Sequence, residues 1–369
     1  MGTLSGIKIV EFAGLGPAPF AAMMLADHGA QVIKIGRKMS KPFHDKGDVL
    51  SRSKLAVSLD LKSEKSIEIV KKLIAEADGL IEGYRPGVME KMGLGPEECL
   101  KLNPRLVYGR MTGWGQDGPY AKAAGHDVNY IALSGALHTM ANDVGPKPVP
   151  GLVGDFGGGG MLLAFGMVCA LLEAKASGQG QVVDAAITDG SALLNSLQMG
   201  WYATGQWKLG FGTHVGNGAA PFFNTYECAD GKYISIGPIE DKFYQTFLEL
   251  CKIDDPLLTK QWDVKNWPNA KEFLKQMFKS KTRDAWCELL EETDACFAPV
   301  LDMEEAPKHP HNVLRKTFTE VDGVVQPSPA PKFSRTPSAG AGAVKPEGAD
   351  TEEVLKSLGL TQEEINQII

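Results

Sequence analysis

The chain has 369 residues, 43% of them hydrophobic, and its 38 basic and 45 acidic residues give a formal net charge of −7. An acidic chain has no overall electrostatic reason to bind nucleic acid or an anionic membrane surface, so neither is an expected partner. The length predicts two domains rather than one. Glycine, at 42 residues, makes up about 11% of the chain against a typical value of roughly 7%, which calls for an explanation from local backbone geometry.

The first hundred residues alternate between strand-like and helix-like patterns. Short apolar runs predict strands at 7–10, 31–35, 57–61, 79–81 and 106–108, and helical patterns cover 20–28 and the segment that begins at Ser63. Such alternation is typical of a largely parallel sheet with helices on both faces. Ligands of these sheets bind outside the carboxyl ends of the strands, so we expect the functional site there.

The pattern changes near Thr225. Apolar runs at 226–228 and 233–236 flank Ala-Asp-Gly and predict a β-hairpin, and helical segments follow at 242–250, 270–278 and 283–290. We interpret this region as a smaller α+β domain. Residues 326–348 are rich in Pro, Ala, Ser and Gly and are typical of an extended linker. Two short helices close the chain, the last with a Thr361–Glu364 capping box.

Signals for export, disulfide bonding and metal binding are missing from the sequence. The six cysteines form no C-x-x-C pair, so we expect buried thiols rather than disulfides or a zinc knuckle, and the histidine spacing predicts no metal site. The N-terminal apolar run contains Glu11, the last three residues are not a peroxisomal signal, and the longest apolar run, 161–172, is too short to span a bilayer. We therefore expect a cytoplasmic location or another intracellular compartment.

Two polar residues in glycine-rich surroundings could carry chemistry. His126 lies in Gly-His-Asp-Val-Asn-Tyr, where a helix is expected to begin, and the helix dipole there keeps an imidazole neutral and able to accept a proton. Taken alone, His126 is better explained as a polar residue satisfied by the backbone. Asp155 lies in Gly-Asp-Phe followed by four glycines, and taken alone it is better explained as a helix cap.

The glycine-rich segments at 14–19 and 154–160 do not match the dinucleotide-binding motif G-x-G-x-x-G: Pro19 stands where a third glycine should follow Gly14 and Gly16, and the second segment fits the motif in no register. No G-x-S-x-G occurs in the chain. The sequence therefore disfavours nicotinamide binding and an α/β-hydrolase nucleophile.

Cations that follow predicted strands could hold phosphate groups at the carboxyl edge of the sheet, since arginine pairs with phosphate in a forked geometry. Solvated surface charge remains the alternative for each cation alone. These cations are Arg37, Lys62, Arg85 and Arg110.

Several motifs occur in a distinctive order along almost the whole chain. They lie at 25–30, 81–87, 110–116, 125–130, 154–158 and 238–240. In this order they resemble the α-methylacyl-CoA racemases of the family III CoA-transferase superfamily. The resemblance extends from Leu4 to about Ser334.

The resemblance implies a 1,1-proton transfer that interconverts (2R)- and (2S)-2-methylacyl-CoA thioesters, an isomerase reaction of fatty acid and other lipid metabolism. His126 would serve one face of the α-carbon and Asp155 the opposite face, since inversion needs an acid and a base on opposite sides. Glu240 would orient and polarise His126, and a backbone N–H near Asp127 would stabilise the enolate oxygen. In this context we interpret His126 and Asp155 as catalytic.

The resemblance also implies where the substrate binds. CoA is part of the substrate, so no separate cofactor is expected. Six glycines lie between 151 and 160, and we expect this bare backbone to let the thioester and an opposing subunit approach closely. One departure is Gly151, where the family usually has an asparagine beside the catalytic carboxylate. The positions that match the family's CoA-binding residues are Arg37, Leu59, Asp60, Leu61, Lys62, Gly125, His126, Asp127, Val128, Asn129 and Tyr130.

The implied fold is a large doubly wound, Rossmann-like α/β domain and a smaller α+β domain, in an interlocked homodimer. In this sequence the large domain covers 1–200, a linker 201–224, the small domain 225–310, and a linker with a return to the large domain 311–369. Two alternative functions stay open. One is a family III CoA-transferase with Asp155 as nucleophile, and the other is a non-catalytic acyl-CoA-binding protein.

Overall fold

The computed structural model describes residues 2–37 and 45–368. The chain forms two compact units. The first comprises Met1–Ala136, Pro148–Asn195 and Leu314–Ile369, and the second comprises Leu137–Lys147 and Ser196–Val313. Residues 137–147 and 196–200, which the sequence analysis places in the large domain, belong to the second unit. So do 201–224 and 311–313, which it places in linkers. For 137–147, the reason is that the chain at Asp143 packs against Gly212.

A six-stranded parallel sheet forms the centre of the first unit. In chain order its strands are β1 Lys8–Phe12, β2 Gln31–Arg37, β3 Leu55–Leu59, β4 Gly79–Glu82, β5 Val107–Thr112 and β6 Val182–Ala186. Their order across the sheet is β3-β2-β1-β4-β5-β6, and every neighbouring pair is parallel. The order reverses between β1 and β4. Ligands of such sheets bind in the crevice outside the carboxyl ends at this reversal.

Helices cover both faces of this sheet, which confirms the predicted doubly wound α/β fold. Val10 and Leu80 belong to one apolar cluster, and their neighbours Ile9 and Ile81 belong to the cluster on the other face, because successive side chains of a strand point in opposite directions. The helices of the first unit are α1 Pro17–Asp27, α2 Glu64–Ala75, α3 Val88–Lys91, α4 Pro96–Leu102, α5 Asp127–Leu133, α7 Leu162–Ser177 and α8 Ile187–Leu194, with a π-helix at Leu152–Met161 and a 3₁₀ turn at Val49–Ser51. Between α5 and the π-helix, α6 Ala136–Thr139 begins in the first unit, and its last three residues belong to the second.

The second unit is built on a three-stranded antiparallel sheet. In chain order its elements are α9 Ser196–Ala203, β7 Asn224–Glu227, β8 Tyr233–Ile236, α10 Asp241–Cys251, α11 Trp267–Phe278, α12 Arg283–Leu290, β9 Phe297–Val300 and α13 Pro310–Arg315, with 3₁₀ turns at Val215–Asn217, Val264–Asn266 and Ala306–Lys308. Strands β7 and β8 form the predicted hairpin, whose turn places Gly231 at φ +75°. Phe222, Phe247 and Phe278 lie at the centre of its core.

After the second unit, the chain rejoins the first. An antiparallel pair, β10 Phe318–Val321 and β11 Val324–Pro327, precedes α14 Thr351–Ser357 and α15 Gln362–Asn366. The predicted capping box is present, because the Thr361 N–H donates to Glu364 Oε2 at 2.8 Å. The predicted linker has no helix or strand over 328–350, yet it is held in place: Glu347 Oε1 lies 2.5 Å from Lys34 Nζ.

All six cysteines are free thiols. The expectation that they are buried holds for Cys99 and Cys228 and is wrong for Cys169 and Cys296, which are exposed. Cys169 lies on the outward face of α7, and Cys296 directly precedes β9 with φ +50°. Within residues 2–37 and 45–368, no three His, Cys, Asp or Glu side chains come together as a metal site would require.

The π-helix and α7 continue as one helix over Leu152–Ser177. Its 26 residues are long and apolar enough to cross a membrane by length and composition alone. This corrects the expectation drawn from the run at 161–172, because the glycine-rich π-helix extends that run. One face packs Met167 against the sheet, whereas Phe165 and Leu172 point outwards.

Candidate active site

A cavity of about 260 Å³ lies outside the carboxyl ends of β1, β4 and β5, where the strand order reverses. The chain that follows each of these strands forms part of its wall. The lining residues include Gly16 and Pro17 after β1, Tyr84 and Arg85 after β4, Trp114 after β5, and the group Gly125, His126, Asp127, Tyr130 and Asp155 from the start of α5 and the π-helix. The structure therefore brings the two predicted proton-transfer residues into one cavity, at the edge where parallel sheets bind ligands.

His126 is the residue immediately before α5, which confirms that a helix begins there. Backbone groups and Asn129 build the cap. The His126 N–H donates to Asn129 Oδ1 at 3.1 Å, and the Asn129 N–H donates to the His126 carbonyl oxygen at 2.7 Å. His126 is an exposed residue that lines the cavity. A substrate in the cavity can therefore reach it.

Asp155 lies in the first turn of the π-helix, so its interpretation as an α-helix cap is wrong. Its backbone N–H donates to Asp127 Oδ1 at 2.8 Å. Partial burial raises the pKa of the Asp155 carboxyl above its ordinary value, the Asp127 carboxylate raises it further, and His126 opposes both effects. A carboxylate with a higher proton affinity than usual is better suited to take a proton from a weakly acidic C–H group.

The glycines around Asp155 allow the π-helix to pack closely within its own unit. A Cβ on Gly154 would lie 2.1 Å from Asp127 Oδ1 on α5. A Cβ on Gly158 would lie 2.7 Å from the backbone nitrogen of Ser191 on α8. The expectation that this bare backbone faces the thioester and an opposing subunit is wrong for these two glycines, because α5 and α8 already occupy the space.

Gly151 precedes the π-helix in a left-handed conformation, with φ +66° and ψ −10°. Its carbonyl oxygen accepts the Phe156 N–H at 2.9 Å, which closes the first turn. Glycine adopts this conformation without steric cost, and asparagine tolerates it better than most residues with a side chain. The glycine therefore preserves the start of the helix, while it removes the amide that the resemblance implies beside the carboxylate.

A second cavity, of about 760 Å³, lies at the same edge beside β2 and β3. Part of the predicted CoA-binding set lines it, namely Arg37, Leu59, Asp60, Leu61 and Lys62, together with Ala13, Tyr84, Val88 and Met92. Tyr84 lines both cavities, so the two adjoin at its side chain. Burial and the Glu82 carboxylate raise the pKa of Tyr84, and the nearby charge of Arg37 opposes them.

Some of the remaining predicted CoA-binding residues line a cavity, and the others do not. Gly125, His126, Asp127 and Tyr130 line the first cavity. Val128 and Asn129 line neither cavity, since a helix turns successive residues by about 100° and directs these two elsewhere. Tyr84 and Trp114 were not predicted as site residues. Their position just after a strand of the parallel sheet is the signal that could have found them.

Arg110 does not serve as a phosphate ligand, which corrects the prediction for this cation. It lies within β5 and is 6% exposed. Its Nε donates to Glu82 Oε1 at 2.9 Å, and its Nη1 lies 2.8 Å from Glu90 Oε1. The second oxygen of Glu82 accepts the Tyr84 N–H at 2.7 Å. Arg110 therefore acts through Glu82 to fix the segment at which the two cavities adjoin.

Known proteins match this chain over almost its whole length. The profile of CoA-transferase family III matches residues 4–351. The chain therefore belongs to CoA-transferase family III. The alpha-methylacyl-CoA racemase of Mus musculus is 42% identical, and that of Homo sapiens 39% identical, each over 99% of this chain and 96% of its own length. The crystal structure of a CAIB/BAIF family protein from Brucella suis has the same fold, with a TM-score of 0.84 at 24% identity over 97% of this chain and 99% of that one.

Glu240 lies in the second unit of this family III protein. It is the residue immediately before α10, and it is exposed. Its charge acts on Cys296, whose thiol pKa is raised first by burial and then by Glu240. The orienting role of Glu240 towards His126 stays a prediction.

Proposed function

We propose that this protein is an α-methylacyl-CoA racemase, which interconverts (2R)- and (2S)-2-methylacyl-CoA thioesters. The observation that carries the proposal is the presence of His126 and Asp155 in one cavity. The Asp127 carboxylate, on α5, accepts a hydrogen bond from the Asp155 N–H, on the π-helix. Two relatives that bear this name are 42% and 39% identical over nearly the whole chain, which supports the same reaction here.

The reaction moves a proton and changes no oxidation state, so its mechanism needs only an acid, a base and a donor to the enolate. One group removes the α-proton, the electrons of the C–H bond pass into the enolate, and the other group delivers a proton to the opposite face of the same carbon. His126 serves one face and Asp155 the other, with Glu240 orienting His126. A backbone N–H near Asp127 is assigned as the hydrogen-bond donor to the enolate oxygen, because the first N–H groups of a helix lack intrahelical partners.

The proposal is tested by incubating the protein with each pure epimer of a 2-methylacyl-CoA in heavy water. A racemase places deuterium at the α-carbon and produces both epimers. A CoA-transferase gives no exchange, moves CoA to a free acid, and forms an acyl group on Asp155 that hydroxylamine traps. A non-catalytic acyl-CoA-binding protein binds the thioester and does neither. Either of the last two results would refute the racemase.

The nucleotide part of CoA is assigned to the second cavity. Arg37 and Lys62 are exposed cations in its wall. Phosphate groups need such local cations on a chain whose formal net charge is −7. Because Tyr84 adjoins both cavities, a thioester with its nucleotide in the second cavity can place its acyl end in the first.

Arg37→Ala is expected to raise KM for 2-methylacyl-CoA about 10- to 100-fold, with the effect on KM rather than kcat. The reason is that a charge-assisted hydrogen bond contributes about 1.5–3 kcal/mol, which here would be binding energy. Steady-state kinetics with the matching acyl-pantetheine thioester, which lacks the nucleotide, should show no such change. Arg105→Ala is the matched control, since this exposed arginine precedes β5 at the opposite edge of the sheet. An equal rise in KM for both thioesters would contradict the assignment.

We also propose that the protein is a homodimer that uses the outward face of α7. This face carries Phe165, Val168 and Leu172 at helical spacing, and Met161 at the end of the π-helix continues it; Phe165 and Leu172 are 67% and 71% exposed. A contiguous apolar surface of this kind marks an interaction site. A second copy suits it better than a bilayer does, because the opposite face of the same helix is packed on the parallel sheet.

Phe165→Asp combined with Leu172→Asp is expected to weaken self-association by more than about 100-fold, since each large apolar side chain contributes about 1.5–3 kcal/mol when it is buried. Light scattering should then show monomers at concentrations where the unchanged protein is dimeric. Leu102→Asp, at an exposed position on α4, is the matched control and should stay dimeric. A protein that is monomeric to begin with, or a dimer insensitive to the double change, would refute the proposed face.

A further inference from the structure

The side chain of Asp127 connects the two elements that carry the proposed proton-transfer residues. Asp127 is the first residue of α5 and follows His126 directly. Its Oδ1 accepts the Asp155 backbone N–H at 2.8 Å. One carboxylate therefore joins the start of α5 to the first turn of the π-helix.

The π-helix cannot satisfy this N–H by itself. Its first bond joins the Gly151 carbonyl oxygen to the Phe156 N–H at 2.9 Å, so the N–H groups before Phe156 have no carbonyl partner within the helix. The N–H of Asp155 is the last of these. A carboxylate suits this position because negative charge is favoured at the N-terminus of a helix.

Gly154 provides the space that Asp127 needs. A Cβ on Gly154 would lie 2.1 Å from Asp127 Oδ1 and 2.8 Å from Ile131 Cγ2, both closer than non-bonded atoms approach. Gly154 therefore leaves the space that the side chain of Asp127 occupies, and the next residue, Asp155, lines the first cavity.

We propose that Asp127 is a positioning residue for the racemase reaction: its side chain ties the π-helix that carries Asp155 to the helix start that carries His126. The two proton-transfer groups are thereby held in one fixed relation to the reacting carbon. The inference rests on the proposed function. It concerns the carboxylate of Asp127 and is separate from the backbone N–H assigned to the enolate.

The same carboxylate acts on Asp155 through its charge. Burial raises the pKa of Asp155 most, Asp127 raises it further, and His126 lowers it. Tyr130 faces the same group: burial and Asp155 raise the pKa of its hydroxyl, and Arg85, after β4, lowers it. Among the residues that the structure describes, α1 and α8 add no charge that acts on Asp155. Removal of the Asp127 charge is therefore expected to lower the pKa of Asp155.

Asp127→Asn separates the charge from the hydrogen bond, because the amide oxygen can still accept the Asp155 N–H. For the epimer whose α-proton Asp155 removes, kcat/KM rises with pH as Asp155 ionises, so the acid limb of this profile should move to lower pH. Asp117→Asn is the matched control, because it removes an exposed charge that does not act on Asp155. Its acid limb should coincide with that of the unchanged protein.

Asp127→Ala removes both the charge and the acceptor. We expect kcat to fall about 100-fold while KM changes less than about threefold, because displacement of a reacting group by 1 Å can cost that much. Gly154→Ala disturbs the same contact from the other side and should also lower kcat. Since both changes act at one contact, the loss in the double variant should be smaller than the product of the two single losses.

Carbon-13 NMR of the aspartate carboxyl groups, with the Asp155 signal assigned through Asp155→Asn, follows the titration of Asp155 without turnover. A lower pKa in Asp127→Asn supports the inference even where the unchanged protein shows no proton exchange, a result that would refute the proposed function alone. An unmoved titration in Asp127→Asn would overturn the inference. So would a folded Asp127→Ala variant with kcat within twofold of the unchanged protein. If Asp127→Ala does not fold, the titration of Asp155 in Asp127→Asn still tests the inference.

Discussion

Asp155→Asn is expected to lower the rate of epimer interconversion about 10²- to 10⁴-fold, which is the range that a positioned acid or base contributes. Deuterium exchange should persist in one epimer with retained configuration, because His126 can remove a proton and return a deuteron on its own face. His126→Ala should give the complementary result, with exchange only in the other epimer. Chiral analysis and mass spectrometry of the thioester recovered from heavy water measure both quantities.

The two variants together distinguish a two-base site from its alternatives. Asp117→Asn is the control and should exchange and interconvert like the unchanged protein. If either variant interconverts the epimers within tenfold of the unchanged rate, or if both variants exchange the same epimer, the assignment of one residue to each face is wrong. CoA transfer that survives in His126→Ala and disappears in Asp155→Asn would identify a transferase instead.

Lys54→Met is expected to lower the free energy of unfolding by about 3–5 kcal/mol, because it leaves a buried carboxylate without its partner. Lys54 Nζ lies 2.6 Å from Glu11 Oε2 and donates to the Pro19 carbonyl oxygen at 3.0 Å, and the two charged side chains are 1% and 0% exposed. Burial raises the pKa of Glu11 and lowers that of Lys54, while each charge opposes the shift of the other. Urea unfolding followed by circular dichroism measures the loss.

Glu11→Leu combined with Lys54→Met should recover most of that loss, because both charges then leave the interior together. Lys101→Met, which breaks an exposed pair with Glu97, is the matched control and should not shift the urea midpoint measurably. All variants are compared at one protein concentration, because the stability of a self-associating protein would depend on it. A double variant no more stable than Lys54→Met alone would contradict the expected role of the pair.

Local patterns predicted the elements whose stability is mainly local. The parallel strands β1 to β5, the helix after Ser63 and the hairpin of β7 and β8 lie where periodicity and turn residues indicate. The missed strands have weaker signals. Strand β6 has one partly exposed face, and β9 is an edge strand that contains Pro299, a residue that argues against a strand. The hairpin of β10 and β11 had a readable signal, because Asp322-Gly323 separates two runs that contain valine.

The proposed proton-transfer residues of the candidate site were predictable from the sequence, but their contacts were not. The order of motifs indicated His126 and Asp155 without any knowledge of where they meet. Tyr84 joins the two cavities only because β4 lies beside β1, a neighbour relation that the chain order does not state. Arg110 illustrates the opposite error: its place near the end of a strand predicts a phosphate ligand, and its pairing with Glu82 removes it from that role.

The sequence by itself determined the parallel α/β class, the hairpin-containing second region and the types of residue at the candidate site, because periodicity, turn chemistry and motif order are local properties. Only the tertiary structure decided that Asp155 lies in a π-helix bonded to Asp127, that Gly154 and Gly158 face the protein's own helices, and that Lys54 is a buried charge. These features depend on contacts between residues far apart in the chain. Burial, which alters the proton affinity of a group, exists only once the chain has packed.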